Sequence, residues 1–449
     1  MGLFTITCMC IGTIIGAGIF GSLPRSVNFV GPAIALVFVI AGIEVVFRYT
    51  PSVIVSSAIP APAGFYMQLS RLVSPYLGVL QFMQVLFSIF SQAALATIFA
   101  SYLNMVVNID TTVAGIGVLL LFGILGYFGT QTGAKVQNWM VVLLIIALLT
   151  YIGMGLPNIK PEYFTFSKAI SLEGIPITSF GAALGLSAGA LNGGWVGVTY
   201  ADKMINPHRN IFMAFIISTC IAGALYALMG IVTCGVAAPD QRTTLGAVAQ
   251  LYMSTTVWYF FIISGALMAI ATTINGSIIF SLKNLGVIAT DKVLPEVFAR
   301  KNAHDISVAC LLVVVLSDIF VVSFKLPVST LISVQSALAM ILAMAQFIPV
   351  IILPKRYPNC YKNARFKLPM PVVYVMIIIS SCFCIYEIYS MIVNSEIEVW
   401  IGVVLTIALG YAYFIKRKSY LASRSVDLLA IMSEPYKPWE EKEMELAGK

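Results

Sequence analysis

About twelve apolar runs, each near the twenty residues that cross a bilayer, follow one another from residue 4 to residue 415. Hydrocarbon offers no water to a backbone N–H or C=O. A crossing segment must therefore bond within itself as a helix, or close into a barrel. The expected class is therefore an all-α polytopic membrane protein. Approximate limits are 4–27, 32–57, 76–103, 112–129, 134–155, 179–203, 210–237, 255–284, 306–324, 328–353, 369–393 and 397–415. A composition 59% hydrophobic and 10% charged over 449 residues excludes a soluble domain of this size.

The net charge of +7 does not point to nucleic acid, because the basic residues lie in loops between the runs. One side carries Arg71, Lys135, Lys203, Arg209, Lys283, Lys292, Arg300, Lys301, Lys355, Arg356, Lys362, Arg365, Lys367, Lys416, Arg417 and Lys418. The other carries Arg25, Lys160, Lys168, Arg242 and Lys325. This asymmetry places both termini in the cytoplasm of a multi-pass protein of the cell (plasma) membrane. The first run is too long for a signal peptide and lacks a small-residue cleavage site. Eight cysteines lie mostly within apolar runs without metal-type spacing and read as reduced, small hydrophobes. With only His208 and His304, both in loops, and no nucleophile–base pair, an enzyme is not expected.

Two runs contain helix breakers. Gly12-Thr-Ile-Ile-Gly16-Ala-Gly18 places three glycines in seven positions of the first run. Gly185-Leu-Ser-Ala-Gly189-Ala-Leu-Asn192-Gly193-Gly194-Trp195-Val-Gly197 does the same in the sixth. Glycine in a helix interior costs about 1 kcal/mol against alanine. A helix that breaks at membrane depth frees N–H groups suited to an anion and carbonyls suited to a cation, the two ends of an α-amino acid. Close helix packing through small residues is the competing reading of either stretch alone. Matching breaks in two halves of a chain point instead to a binding site at the midplane. The eighth run carries Thr272-Thr273, whose hydroxyls could serve a hard cation or bond back one turn. Glu44 and Arg48, four apart on one helix face, read as a structural ion pair, and Glu387 has no evident partner.

Four motifs bring a known family into view: Gly12-Thr-Ile-Ile-Gly-Ala-Gly-Ile-Phe20, Ile59-Pro-Ala-Pro-Ala-Gly-Phe-Tyr66, Asn206-Pro-His-Arg-Asn210, and Asn275-Gly-Ser277 followed by Leu294-Pro295. In order and spacing the chain resembles the amino acid–polyamine–organocation superfamily of bacterial permeases and exchangers, which have the LeuT-type fold. The resemblance implies 12 transmembrane helices with a 5+5 inverted repeat and broken helices 1 and 6. Residues 1–155 would form the first repeat, 156–178 an extracellular connection, 179–353 the second repeat, 354–415 the last two spans and 416–449 a cytoplasmic tail.

The resemblance also implies roles. The N–H groups of Ala17 and Gly18, beside Gly16, would hold a substrate carboxylate. Carbonyls near Ile14 and Ile15, with those of Ala190 and Leu191, would hold the ammonium, and Asn192, Gly193, Gly194 and Trp195 would shape pocket and gate. Many sodium-independent relatives place a lysine in span five, at a place counted here to Leu144, and tend to have two glycines where this chain has Thr272-Thr273. The LeuT-type second sodium site, carried over by position, would use the carbonyls of Gly12, Ile15 and Ala269 and the hydroxyls of Thr272 and Thr273. The expectation is a secondary transporter of a neutral amino acid, coupled to Na⁺ as the only cofactor, with the bilayer and the small-molecule amino acid as partners and no obligate protein partner indicated. A Na⁺-independent exchanger, a proton symporter and a non-transporting amino acid receptor stay open.

Overall fold

Sequences this apolar satisfy their backbone in lipid by local hydrogen bonds, and the chain is helical almost throughout. The computed structural model describes residues 1–326, 328–394 and 397–447; among these there is no strand, only an isolated bridge between Pro62 and Tyr200. Each expected span falls on helix. In order these are α1 (Leu3–Ile14) with α2 (Ala17–Val30), α3 (Ile34–Ala58), α4 (Pro75–Asn104), α5 (Thr111–Tyr127), α6 (Thr130–Gly155), α7 (Ile177–Leu191) and α8 (Pro207–Val236). There follow α9 (Met268–Thr290), α10 (Val308–Ser323), α11 (Val328–Ala345) with α12 (Ile348–Arg356), α13 (Met370–Asn394) and α14 (Ile397–Ala422). Among the described residues, 8 helical runs are long and apolar enough to cross a membrane, and α1, α5 and α10 are shorter apolar helices.

The two expected breaks are present, and a third appears. Span ten is interrupted at Gln346 and Phe347, and α12 then starts with Pro349 in its first turn. Proline lacks the N–H that a continuous helix would use there, so the interruption follows from its chemistry. Span eight begins as a short helix, Thr255–Phe260, and passes through a π-helical turn at Phe261–Leu267 before α9.

Packing puts the breaks at the centre. α1 lies against α6, α8 and α9; α2 lies against α7; α3 lines α7 and α8. α4 backs α9 and α11, while α13 and α14 are the least enclosed and flank α3, α11 and α4. Arg242 is buried and donates to the carbonyls of Ala237 (3.0 Å) and Cys234 (2.8 Å), closing the end of α8.

The C-terminal segment is not a loose tail. α14 runs on through Lys416–Lys418, and Arg417 donates to the carbonyls of Lys292 and Leu294, both at 3.0 Å. Next, α15 (Leu428–Ser433) buries Leu428 and Met432, and Arg71 donates to Met432 O at 3.1 Å. Then α16 (Lys437–Ala447) buries Trp439, whose Nε1 donates to Pro60 O at 3.0 Å. The Glu443 carboxylate accepts from the N–H groups of Asn359 (2.8 Å) and Cys360 (2.7 Å), and Lys442 Nζ lies 2.7 Å from His208 Nε2. At the other end of the chain, Met1 is bonded to Lys203 and Ile205, so both ends lie at one face.

Candidate functional site

The first break is short. α1 ends at Ile14, Ile15 and Gly16 leave the helix (Gly16 at φ −125°, ψ −160°), and α2 resumes at Ala17. First-turn N–H groups have no acceptor within their own helix, which leaves those of Ala17 and Gly18 free to face a ligand. At the end of α1, Ile14 O accepts from Gly16 N (3.0 Å) and from the Tyr226 hydroxyl (3.1 Å). Gly16 is required sterically, because a Cβ there would sit 2.3 Å from Thr273 Oγ1.

The second break lies directly against the first. α7 stops at Leu191, Asn192 is extended, and Gly193 takes φ 152° before 3₁₀ turns at Gly194–Thr199 and Ala201–Lys203. A Cβ on Gly193 would come within 2.8 Å of Ile14 N and Thr13 C. α2 and α7 start and stop side by side, with Gly18 facing Ala190. Asn192 and Trp195 are joined by an indole N–H donated to Asn192 Oδ1 at 2.6 Å. Around the indole stand Phe65 (5.3 Å), Phe280 (5.5 Å) and Tyr49 (6.0 Å between ring centroids).

The same four rings line a cavity of about 80 Å³, together with Asn192 and four glutamines, Gln81, Gln84, Gln335 and Gln346. Gln346 donates to Gln81 at 3.4 Å and Gln81 to Gln84 at 3.0 Å, an amide chain along the cavity wall. Such a volume has room for a few waters. Admitting a larger molecule requires the aromatic cluster to open.

Oxygen atoms gather where α1 meets α9. Thr273 Oγ1 is 3.1 Å from Gly12 O and 3.0 Å from Ala269 O, and Thr272 Oγ1 is 2.8 Å from Ala269 O. Four of the five expected ligands are thus linked in a chain through Thr273 Oγ1 and Ala269 O, and Ile15 is fully buried at the end of α1. Each hydroxyl also bonds back one turn to Ala269. Leu144 is a buried hydrocarbon, and the polar span-five residue that reaches this junction is Gln137. Its Nε2 donates to Thr272 O at 3.1 Å, and its Oε1 accepts from Asn275 Nδ2 at 2.7 Å. Gln137 and Tyr226 were missed as site residues. The available signal was a polar group standing at membrane depth in an otherwise apolar run.

The motifs have physical work in this arrangement. Ala63 N donates to Thr199 O at 3.1 Å, and Gly64 approaches Val198 so closely that a Cβ would meet its carbonyl at 2.6 Å. The 59–66 loop is therefore a buttress for the turns after the second break. Asn206 takes a left-handed φ of 51°, and Asn210 Nδ2 closes the same turn on Ile205 O at 2.6 Å. Asn275 pins α9 to α6. These contacts explain the spacing, and a family model described as amino acid permease matches residues 1–413. The chain belongs to the amino acid permease family. It thereby falls within the amino acid–polyamine–organocation superfamily.

Curated relatives agree in kind and differ in cargo. The permease is 22% identical to the methylthioribose transporter of Bacillus subtilis, with 93% of each chain covered. It is 23% identical to the branched-chain amino acid permease BcaP of Lactococcus lactis, covering 91% of this chain and 93% of that one. It is also 23% identical to the serine/threonine exchanger SteT of Bacillus subtilis, covering 68% and 70%. The permease is a multi-pass membrane protein and a transporter, not an enzyme.

Proposed function

We propose that this permease imports a neutral amino acid together with Na⁺ by alternating access. The observation that carries the reading is Thr273 Oγ1 within 3.1 Å of Gly12 O and 3.0 Å of Ala269 O. An all-oxygen cluster there suits a hard cation, and that ion would fasten the broken first span to the eighth. Ion and substrate then raise each other's affinity by the same factor. In this reading the N–H groups of Ala17 and Gly18 take the carboxylate. The ammonium goes to the carbonyls of Ile15, Ala190 and Leu191, because Tyr226 already engages Ile14. Asn192, Gly193, Gly194 and Trp195 shape the pocket and its gate. A neutral cargo is supported by the amide lining beside Trp195, which contains no acid or base. Residues 1–155 and 179–353 act as the two repeats, and both termini face the cytoplasm of the cell membrane.

The test is uptake of radiolabelled amino acids into proteoliposomes with Na⁺ replaced by choline or K⁺. Uptake should collapse without Na⁺, and Thr273→Ala should lose most of the ion dependence while keeping its yield. Undiminished uptake in choline refutes the coupling. A second reading, Na⁺-independent exchange, is favoured by the Gln137 amide beside Gly12, a built-in donor in the span where some relatives use a lysine, and by the exchanger among the relatives. Counterflow that needs amino acid on both sides of the membrane selects it.

A further inference from the structure

The membrane interior holds a cluster whose charges do not balance. Glu44 and Arg48 lie one turn apart on α3, and Glu387 reaches the same guanidinium from α13. Arg48 Nε donates to Glu44 Oε1 at 2.6 Å, and its Nη2 donates to Glu387 Oε2 at 2.7 Å. Fully ionised, the three groups carry one net negative charge. Their side chains are 3%, 6% and 15% exposed for Glu44, Arg48 and Glu387. Glu44 Oε2 is buried with no hydrogen-bond partner. An uncompensated charge near a bilayer centre costs at least about 2.5–3.5 kcal/mol.

Among the described residues, the neighbouring groups supply no second cation. α3 adds Tyr49, α13 adds Cys384, Tyr386 and Tyr389, and α11 adds the Met340 thioether, 3.8 Å from Arg48 Nη1. The α7 residues along the adjoining cavity, Thr178 and Gly181 among them, carry no ionisable group. That cavity, of about 640 Å³, has Glu387 in its wall.

We propose that Glu44, Arg48 and Glu387 form a proton-binding site, one proton being held at the Glu44 oxygen that has no partner. The proton removes the surplus charge and leaves Arg48 to Glu387, which tightens the link between α3 and α13. α3 is packed on α7, which ends at the second break, so separation of α3 from α13 is coupled to the substrate site. By linkage, a motion that alters the Arg48–Glu387 contact alters proton affinity, and the proton biases that motion equally. The inference rests on the transport reading only for one of its two readouts, and it is independent of the Thr272–Thr273 cluster.

The experiment compares wild type, Glu44→Gln and Glu387→Gln in proteoliposomes at fixed Na⁺. Wild-type uptake should fall as pH rises, by up to about tenfold per unit for one proton. Either glutamine, neutral at every pH, should flatten the profile. A second readout needs no transport: the infrared C=O stretch of a protonated carboxyl at neutral pH, expected in wild type and absent from both variants. If Glu44→Gln fails to fold, Glu387→Gln at the cavity wall carries the test. A flat wild-type profile, variants that keep the wild-type slope, or variants that lose Na⁺ dependence instead each overturn the site. If no amino acid is taken up, the transport reading falls, and the infrared band alone decides this one: its presence in wild type and loss in the variants sustains the site, its absence overturns it.

Discussion

Replacing Gly193 with alanine should be among the most damaging single-methyl changes in the permease. The added Cβ would lie 2.8 Å from Ile14 N and Thr13 C and 2.9 Å from Thr13 O. All three are backbone atoms at the end of α1, with no rotamer to escape into. The residue also sits at φ 152°, where an L side chain is strained. Such backbone strain costs about 1–3 kcal/mol. Overpacking a filled site costs about 1–3 kcal/mol more. Together about 2–6 kcal/mol would be lost from the conformation in which the two breaks touch, lowering its equilibrium weight by at least about 25-fold. The control is Gly189→Ala, in the interior of α7, where a Cβ meets nothing within 4 Å. Thermal unfolding in detergent and amino acid uptake should both fall sharply for Gly193→Ala and stay near wild type for the control. If both variants melt and transport like wild type, contact between the two breaks is not what holds the centre together.

Three further outcomes follow from the same structure. Trp439→Ala removes a side chain only 1% exposed and its bond to Pro60, a change that costs about 3–5 kcal/mol at fully buried sites; limited trypsin digestion should then cut after Arg424 or Lys442 far faster, and unchanged protection would argue against docking of the tail. Burial pushes the Glu443 carboxyl up, but the N–H groups of Asn359 and Cys360 pull it further down, so its folded value lies below the ordinary one. A lowered carboxyl stabilises above its unfolded value of about 4.3 and loses that contribution as pH falls through the folded value. Tail protection should therefore be level from neutrality to about pH 4 and weaken only below it, whereas Glu443→Gln should be weak throughout. Asp291→Ala strands buried Arg71, now held at 2.6 Å by both carboxylate oxygens, and removes the acceptor of the Tyr66 hydroxyl at 2.7 Å; a loss of about 3–5 kcal/mol should appear as a large drop in melting temperature.

Much of this protein is legible in one dimension because lipid enforces local rules. A run of about twenty apolar residues must become a helix wherever it lies in the bilayer. Glycine clusters at 12–18 and 185–197 weaken a helix by a purely local property, so both breaks could be located before any packing was known. The third interruption at Gln346–Phe347 is likewise local in origin, because Pro349 follows it and cannot donate to a continuous helix.

Contacts between distant residues obey no such local rule. That Gly193 rests on the backbone of Thr13 and Ile14, that Gln137 rather than Leu144 reaches the α1–α9 junction, and that Tyr226 claims Ile14 O depend on how helices turn against one another. Glu387 finds Arg48 across 339 positions, and Trp439 finds Pro60 across 379. The amino-acid sequence by itself therefore determined which segments are helical and where they fail. Only the tertiary structure decided which freed polar groups meet, because helix rotation and register are set by packing the whole bundle at once.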